Sequence, residues 1–382
     1  MATNLRFRRN ISKVFTIIII WIIIGIFIAF FEHTVLETMS SIADMENNPD
    51  INLWVSIKTY ILGAALGGLT VGIIEFFYLR DATRNFSFGK LLLIKSSIYL
   101  IVILLLNVIA SLFYNSSNLG LSPFHPVVVD NSIKFLLNYG LVRNVITWTS
   151  ITAATLIFLM INDKFGPGQM LKIILGRYNK PQEEDRIFMF LDMKSSTTIA
   201  EKLGHLNYFN LLKDFFADIT NDIEDRKGEI YQYVGDEIVV SWTMQNGITN
   251  ANCLQCFYDI QKTIEKLSPK YLDKYGLVPG FKAGYHYGNV TTGEIGVIKK
   301  EIVFSGDVIN TTARIQDQCN QYGVRILLSK RLYDMLPKLN TLSFEEIGDF
   351  QLRGKETYVQ LFTVTQVDLT KVNIKSEEAM AQ

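Results

Sequence analysis

Cysteine and histidine are scarce in this chain of 382 residues, which contains three cysteines and four histidines. All three cysteines, Cys253, Cys256 and Cys319, lie in the C-terminal half. Cys253 and Cys256 are three positions apart on a predicted helix, but no second pair of Cys or His residues accompanies them, which argues against a structural zinc site. We therefore predict that these cysteines are small residues of a hydrophobic core.

Charge is scarce in four long apolar segments of the N-terminal part. Each segment is long enough to cross a bilayer of roughly 30 Å. No small-residue cleavage site follows the first segment, which argues against a signal peptide. We predict a membrane domain over residues 1–161 with four transmembrane helices, at about Val14–Phe31, Tyr60–Tyr78, Ser96–Phe113 and Val145–Ile161. The second contains small residues that let helices approach closely in lipid, namely Gly63, Gly67, Gly68 and Gly72.

Basic residues are absent between the first two segments until Lys58, whereas acidic residues are common there. Basic residues do occur before the first segment and between the second and third, and positively charged loops stay in the cytoplasm. The sequence therefore predicts a multi-pass protein of the inner (plasma) membrane. Because the number of segments is even, the N-terminus and the C-terminal half are both predicted to be cytoplasmic.

The predicted membrane segments contain no histidine and no metal-like cluster, so a haem or ion-transport role has no support. They also lack charged residues at their centres, which argues against a protein whose main role is transport or sensing within the membrane. We predict a linker over residues 162–185, where Gly166-Pro167-Gly168 breaks the fourth helix. It could couple the two halves or act as a passive tether. A folded domain over 186–366 and a flexible tail over 367–382 complete the predicted organisation.

A buried strand is predicted at Ile187–Leu191, a continuous apolar run that ends at Asp192. The residues Ser195–Thr198 follow, and they are of the types that favour the start of a helix. A carboxylate can bind a metal ion, and the first N–H groups of a helix can face phosphates. This arrangement indicates a site for a cation together with a polyphosphate.

A hairpin is predicted at Glu229–Trp242, where two β-branched and aromatic runs flank Gly235, Asp236 and Glu237. A solvated turn would explain the two acids equally well if the hairpin stood alone. Together with Asp192 at the end of another strand, Asp236 suggests a site for two metal ions.

The remaining periodicity predicts an α+β domain with a helix-backed mixed or antiparallel sheet. Apolar residues at helical spacing predict helices at about 208–223, 250–267 and 308–321, with another starting near Ser329. Two strands, Phe281–Tyr287 and Val290–Ile295, are predicted to form a second hairpin around Gly288-Asn289. Further strands are predicted at 324–328, 342–347 and 358–364.

The segment from about Arg186 to Val364 resembles the catalytic domain of class III nucleotide cyclases, the family of adenylate and guanylate cyclases. The resemblance rests on four motifs in matching order and spacing: Phe190–Met193 with Ser195–Thr198, Val234–Glu237, Gly284–Gly288, and Ser305–Arg314. It implies a ferredoxin-like α+β fold, a homodimer with sites between two chains, and cyclisation of a nucleoside triphosphate. A membrane-spanning N-terminal region is also similar to that of many bacterial members.

The resemblance also implies roles for individual residues. Asp192 and Asp236, with the backbone of Met193, would hold two Mg²⁺ or Mn²⁺ ions per active site. Asn310 would orient the ribose and Arg314 would stabilise the transition state, both from the opposite chain. Without the resemblance, Asn310 would be interpreted as a helix cap and Arg314 as part of a solvated helix face.

The resemblance further implies contacts to the triphosphate. The helix start at Ser195, Ser196 and Thr197 would bind substrate, and Lys355 would bind the triphosphate. An ordinary surface charge explains Lys355 equally well. Glu237 is predicted to orient a neighbour or to face solvent rather than to bind a metal ion.

The two positions that choose the base depart from the family pattern, because Gln232 and Val303 replace the Lys and the Asp or Thr of typical adenylate cyclases. Gln can donate and accept hydrogen bonds, whereas Val can only pack. We predict ATP as the substrate because adenylate cyclases are frequent among similar members of the family. GTP or a pyrimidine triphosphate are the alternatives. A catalytically silent cyclase-like receptor is a third possibility. The predicted partners are the nucleotide, a second copy of the chain and the lipid bilayer, with no nucleic acid.

Overall fold

The computed structural model describes residues 2–42, 52–79, 86, 88–165, 172–173, 175–351 and 358–367. The chain divides into two compact units, residues 3–161 and residues 162–382. Each unit is described by itself below.

The first unit is helical, and its helices are α1 Ala2–Ile42, α2 Leu53–Ile73, α3 Phe88–Leu119, α4 Pro126–Leu136 and α5 Tyr139–Phe165. The helix α2 continues into a π-helical turn at Ile74–Leu79. Four helical segments are long and apolar enough to cross a membrane: Phe7–Val35, Leu53–Leu79, Gly89–Leu119 and Tyr139–Asn162. They match the four predicted segments and extend each of them.

Close packing between α1 and α2 depends on the glycines of α2. A Cβ atom at Gly68 would lie 3.0 Å from the Cα of Ile18, and one at Gly67 would lie 2.9 Å from the ring of Trp21. Trp21 is almost fully buried in this core. The prediction that small residues let these helices approach closely is therefore confirmed for these two positions. Gly63 differs, because no described atom lies within 4 Å of an ideal Cβ there.

A buried ion pair joins α3 to the π-helical turn that follows α2. The ammonium group of Lys95 contacts the Glu75 carboxylate, and the Tyr99 hydroxyl donates a hydrogen bond to the other oxygen of Glu75 at 2.8 Å. All three side chains are buried. The sequence prediction placed no charge at the centres of the spans. The Glu75–Lys95 pair is consistent with this prediction, because Glu75 lies near the end of the second span and Lys95 lies near the beginning of the third.

The second unit is built on an eight-stranded sheet in which β2, β3, β1, β4, β6, β8 and β7 are neighbours in that order and β5 pairs with β4. The strands are β1 Gln182–Met193, β2 Glu229–Val234, β3 Glu237–Thr243, β4 Phe281–Ile295, β5 Glu301–Ser305, β6 Ile326–Ser329, β7 Leu342–Gln351 and β8 Tyr358–Gln366. β4 and β6 run parallel, and the other pairs are antiparallel. The sheet is therefore mixed.

Helices cover both faces of this sheet. They are α6 Ser196–Asp225, α7 Met244–Ile248, α8 Asn252–Lys266, α9 Ser268–Tyr275, α10 Asp307–Gln321 and α11 Lys330–Tyr333, with a 3₁₀ turn at Thr249–Ala251. The predicted α+β fold is confirmed, and the three longest predicted helices of this unit correspond to α6, α8 and α10.

The strand β1 lies at the centre of the sheet and is buried on both faces, as its apolar run predicts. Ile187 and Met189 belong to one core cluster, together with residues of α6 and α8. Phe188 and Phe190 belong to a second cluster on the other face, which includes Val308 of α10. Because side chains alternate along a strand, Asp192 shares its face with Phe188 and Phe190. The carboxylate therefore lies on the side of the sheet that α10 covers.

The hairpin predicted around Gly288-Asn289 is wrong, because β4 runs unbroken from Phe281 to Ile295. Gly288 has a packing role instead. A Cβ atom there would lie 2.5 Å from the Cγ2 atom of Val308 on α10. The glycine thus makes room for a helix on the sheet rather than for a turn in the chain.

Candidate active site

Asp192 lies at the end of β1 between two charged residues of neighbouring strands. Its register partners are Glu237 on β3 and Lys282 on β4. The Lys282 ammonium group is 3.3 Å from the Asp192 Oδ2 atom, and the Gln316 Nε2 atom of α10 donates a hydrogen bond of 3.0 Å to the same oxygen. Lys282 and Gln316 are both buried. The carboxylate is therefore held in one orientation from the sheet and from the helix above it.

Asp236 occupies the two-residue turn between β2 and β3, next to Asp192. Gly235 has a φ of 62°, so the turn uses the left-handed conformation that glycine accepts, as the sequence predicts. Burial and the nearby Asp236 carboxylate raise the pKa of Asp192, and Lys282 opposes this rise. The two carboxyl groups are therefore close enough to interact electrostatically. The structure thus brings both predicted aspartates together as a close acidic pair.

Glu237 is half-buried beside this pair. Its burial, followed by the charges of Asp192, Asp317 and Asp236, raises the pKa of Glu237 to about 7, while Lys282 opposes the rise. Glu237 therefore adds a third acidic group to a site that has one nearby ammonium group. A concentration of carboxyl oxygens with so little compensating charge favours a bound cation.

The helix α6 begins four residues after Asp192, with Ser195 at its N-cap position. Ser195 has a φ of 57° and its side chain makes no capping hydrogen bond. A residue other than glycine costs about 1–3 kcal/mol in such a conformation, and this strain is most often found at functional sites. Ser195 and Thr197 are exposed and Ser196 is half-buried. The predicted phosphate-facing helix start is thus accessible, next to the acidic pair.

The helix α10 carries Asn310 and Arg314, and it lies directly on β4. Asn310 is exposed and Arg314 is half-buried, whereas Val308, Thr311 and other residues of the opposite face are buried against the sheet. A Cβ atom at Gly284 would lie 2.6 Å from the Cα atom of Gln316. This contact between the helix backbone and the strand fixes the distance of α10 from the sheet that carries the acidic pair.

We expect Gly284→Ala to destabilise the protein by about 1–3 kcal/mol, because the added methyl group has to push the helix backbone away from the sheet. The displaced helix should also lose the Gln316–Asp192 hydrogen bond. Thermal unfolding of the full chain measures the first effect. Gly280→Ala is the matched control, since a Cβ atom there would be 3.7 Å from its nearest neighbour in ordinary contact. Equal stability of the two variants would contradict this account of the packing.

The two predicted base-reading positions lie on β2 and β5, two strands that do not pair with each other in the sheet. Gln232 is exposed on β2, and Val303 is half-buried on β5. Their neighbours Tyr231 and Phe304 touch, with ring centroids 4.9 Å apart. Gln232 and Val303 are therefore chain neighbours of two residues that touch. Lys355, the predicted triphosphate-binding residue, lies outside the described residues.

Sequence reasoning missed Lys282 and Gln316, the two residues that hold Asp192. A weak signal for Gln316 exists, because it is a polar residue within the buried stripe of α10. The role of Lys282 follows only from the pairing of β4 with β1, which places it opposite Asp192. Because two strands of a hairpin were predicted in place of β4, the pairing of this strand with β1 was not predicted.

Comparison with known proteins identifies the family of this domain. The family described as "Adenylate and Guanylate cyclase catalytic domain" matches residues 179–365, a segment that contains Asp192, Asp236, Asn310 and Arg314. Residues 179–365 belong to the class III nucleotide cyclases. The resemblance noted from the sequence motifs is thereby confirmed.

Individual relatives of this class III nucleotide cyclase domain differ in the base that their names give. Adenylate cyclase 2 of Rhizobium meliloti (strain 1021) is 31% identical over 228 residues, which cover 59% of this chain and 63% of the relative. Uridylate cyclase of Rhodovulum sp. (strain MB263) is 26% identical over 180 residues, which cover 45% of this chain and 73% of the relative. A bacterial light-regulated adenylyl cyclase of known structure is 21% identical, with a TM-score of 0.49 and coverage of 58% and 65%.

The cyclase domain offers suitable ligands for divalent ions. Within the described ranges, no group of three or more His, Cys, Asp or Glu side chains is arranged to hold a metal ion. Mg²⁺, however, is commonly bound by one or two carboxylates together with the phosphates of a substrate. Asp192 and Asp236 provide such a pair of carboxylates, next to an accessible helix start. The donor set therefore fits a metal ion that binds together with a nucleotide.

Proposed function

We propose that this chain is a membrane-anchored adenylate cyclase that converts ATP to cyclic AMP and pyrophosphate at a homodimer interface. The observation that carries the proposal is the close pair of Asp192 and Asp236 beside the start of α6, within a class III cyclase domain. The reaction requires attack of the ribose 3′-oxygen on the α-phosphorus. Little covalent chemistry is asked of the protein, so positioning and charge stabilisation provide the rate.

Divalent ions are part of the proposal. Two Mg²⁺ or Mn²⁺ ions, when bound, would lower the pKa of the 3′-hydroxyl and neutralise the triphosphate. Asp192 and Asp236 would hold them, with the backbone of Met193. Gln316 and Lys282 fix the orientation of Asp192. The N–H groups at the start of α6 would bind phosphate oxygens.

The geometry of α10 supports a site shared by two chains. Gln316 points from this helix to Asp192 of its own chain. Arg314 precedes it by two residues, so the two side chains leave the helix roughly 200° apart. Asn310, one turn before Arg314, is exposed on the outer side as well. Asn310 and Arg314 therefore face away from their own acidic pair, and we propose that they serve the pair of the partner chain.

The choice of ATP draws on the adenylate cyclase of Rhizobium meliloti, the relative with 31% identity. Gln232 is exposed and can both donate and accept hydrogen bonds, so it can bind an adenine edge. Val303 can add only packing. The similarity to a protein named uridylate cyclase keeps a pyrimidine triphosphate as the alternative substrate.

The helical unit supports membrane anchoring. On α1, Ile23, Phe27 and Phe31 are each more than half exposed and recur at a spacing of four residues. Such a stripe of large apolar side chains fits a lipid environment, since an aqueous one would leave it unfavourably exposed. We propose that the protein lies in the inner membrane with its N-terminus and cyclase domain in the cytoplasm, as the loop charges predict.

The proposal is tested with the full chain in lipid nanodiscs, supplied with Mn²⁺ and each of the four nucleoside triphosphates in turn. We expect cyclic AMP and pyrophosphate as the main products, identified by mass spectrometry. Asp236→Asn should lower the rate at least about a hundredfold, because it removes charge from the reacting site. Asp349→Asn, at an exposed acid on β7, is the matched control and should retain activity.

Other outcomes of this assay separate the alternatives. A cyclic product from GTP or UTP but not from ATP would retain the cyclase and reject the adenylate assignment. No cyclic product from any nucleotide, with the protein dimeric, would favour a silent receptor instead.

A further inference from the structure

A cavity of about 290 Å³ lies within the helical unit, and no part of the proposed cyclase reaction uses it. Its lining comes from the middle and second half of α1 and α3, from the first half and middle of α2, from the first half of α5, and from Phe135 of α4. The cavity therefore lies toward one end of the helices. By the loop charges, that end faces away from the cytoplasm.

Aromatic side chains form one wall of the cavity, and the backbone of α2 at Gly63 forms part of another. The Trp148 ring is stacked against Tyr60 with ring centroids 6.4 Å apart, and it packs on Trp21 at 5.8 Å. The Trp21 Nε1 atom donates a 3.0 Å hydrogen bond to Thr155, which fixes that ring. On α2, Gly63 lines the cavity with no described atom within 4 Å of an ideal Cβ. A slot between rings and a bare helix backbone suits a flat ligand.

The charges at the cavity are already compensated. The Arg143 guanidinium is 3.3 Å from the Glu32 carboxylate, and the two form an ion pair. An ion pair that is satisfied in this way leaves no net charge to attract an ion. The cavity therefore favours an uncharged molecule.

Asn107 supplies an unused hydrogen-bond acceptor. This residue lines the cavity and is only 4% exposed. Its Nδ2 atom donates to the carbonyl of Ile103 at 2.9 Å, while none of the residues that the structure describes donates to its Oδ1 atom. Because Asn107 lines the cavity, a ligand there that brings a donor can form a hydrogen bond with this acceptor.

We propose that this cavity binds an uncharged, flat molecule of one or two fused rings that carries a hydrogen-bond donor, as phenols and indoles do. The volume sets the size, because an apolar cavity of about 150 Å³ accommodates benzene. The rings would lie against Trp148 and Tyr60, and the donor would face Asn107.

The test uses 2-naphthol as the probe, with the full chain in nanodiscs and empty nanodiscs as the reference for partition into lipid. We expect saturable binding of one molecule per chain by equilibrium dialysis. The methyl ether 2-methoxynaphthalene keeps the rings but lacks the donor. It should bind about three- to tenfold more weakly, the usual effect of one hydrogen bond.

Two variants locate the site. Gly63→Leu fills the cavity and should weaken binding of 2-naphthol at least about tenfold, which corresponds to the loss of most ring contacts. Gly89→Leu is its matched control, since Gly89 is also on a helix with open space around it but does not line the cavity. Asn107→Leu should reduce 2-naphthol to the affinity of the methyl ether and leave the ether unchanged.

Binding that only equals partition into empty nanodiscs would overturn the proposal, as would saturable binding that both Gly63→Leu and Asn107→Leu leave intact. A cavity that holds water or a lipid chain gives the first of these results. If Gly63→Leu does not fold, the comparison of the two probes on Asn107→Leu decides alone. None of these measurements depends on cyclase activity.

Discussion

Mixing two inactive variants should restore cyclase activity, if each site combines residues of two chains. Asp192→Asn and Arg314→Ala should each lower the rate at least about a hundredfold alone, because one alters the acidic pair and the other removes a positive charge from the transition state. In a mixed dimer, one site carries both changes and the other carries neither. Random pairing makes half of the dimers mixed, so about a quarter of the wild-type activity should return. The measurement is cyclic nucleotide formed per chain after co-expression.

The control for this experiment pairs Asp192→Asn with Asp236→Asn. Both aspartates of a pair come from the same chain, so every site of that mixed dimer is defective and no activity should return. Mixed dimers are isolated in each case with two different affinity tags. If tagged mixed dimers of the first pair form and remain inactive, the shared site is wrong.

The helical unit should lose about 3–5 kcal/mol of stability in Lys95→Met, since breaking a buried ion pair leaves an uncompensated charge. Lys95 is only 5% exposed and contacts Glu75, which is itself buried. Lys90→Met is the matched control on the same helix, because Lys90 is exposed. Thermal unfolding of the full chain in nanodiscs, followed by circular dichroism, should show a lower transition temperature for Lys95→Met alone.

A second variant separates loss of charge pairing from loss of packing. In Glu75→Gln with Lys95→Met, the uncompensated carboxylate is gone and Tyr99 can still donate to the amide oxygen. Most of the lost stability should therefore return. If the double variant is as unstable as Lys95→Met, packing of the lysine stem is the main contribution and the ion pair is not.

The predictions from the sequence succeeded where one segment contains the whole signal. The apolar run that ends at Asp192, and the glycine turn beside Asp236, each define their local structure without help from the rest of the chain. Because β1 and β3 are antiparallel neighbours, those two local signals then meet in space. The acidic pair could therefore be predicted from short segments together with family motifs.

The prediction failed where a glycine had a tertiary role. Gly288 and Gly284 lie in one strand and make room for α10, but a glycine beside an asparagine has the same local pattern as a turn. The contacts of Asp192 with Lys282 and Gln316 likewise join segments about 90 and 124 positions apart. Hydrophobic periodicity in the sequence cannot predict contacts between segments that are so many positions apart. The cavity around Gly63 was missed because four similar glycines gave no sign that one of them faces empty space.

The direct contact of α10 with Gly284 has a consequence for how the proposed cyclase could be controlled. A helix whose backbone lies against a central strand cannot slide or tilt without disrupting the core, so Asn310 and Arg314 move only as the whole domain moves. In the proposed homodimer, switching would then act on how the two cyclase domains are oriented toward each other. A signal would change the distance between two rigid bodies and leave the interior of each one unchanged.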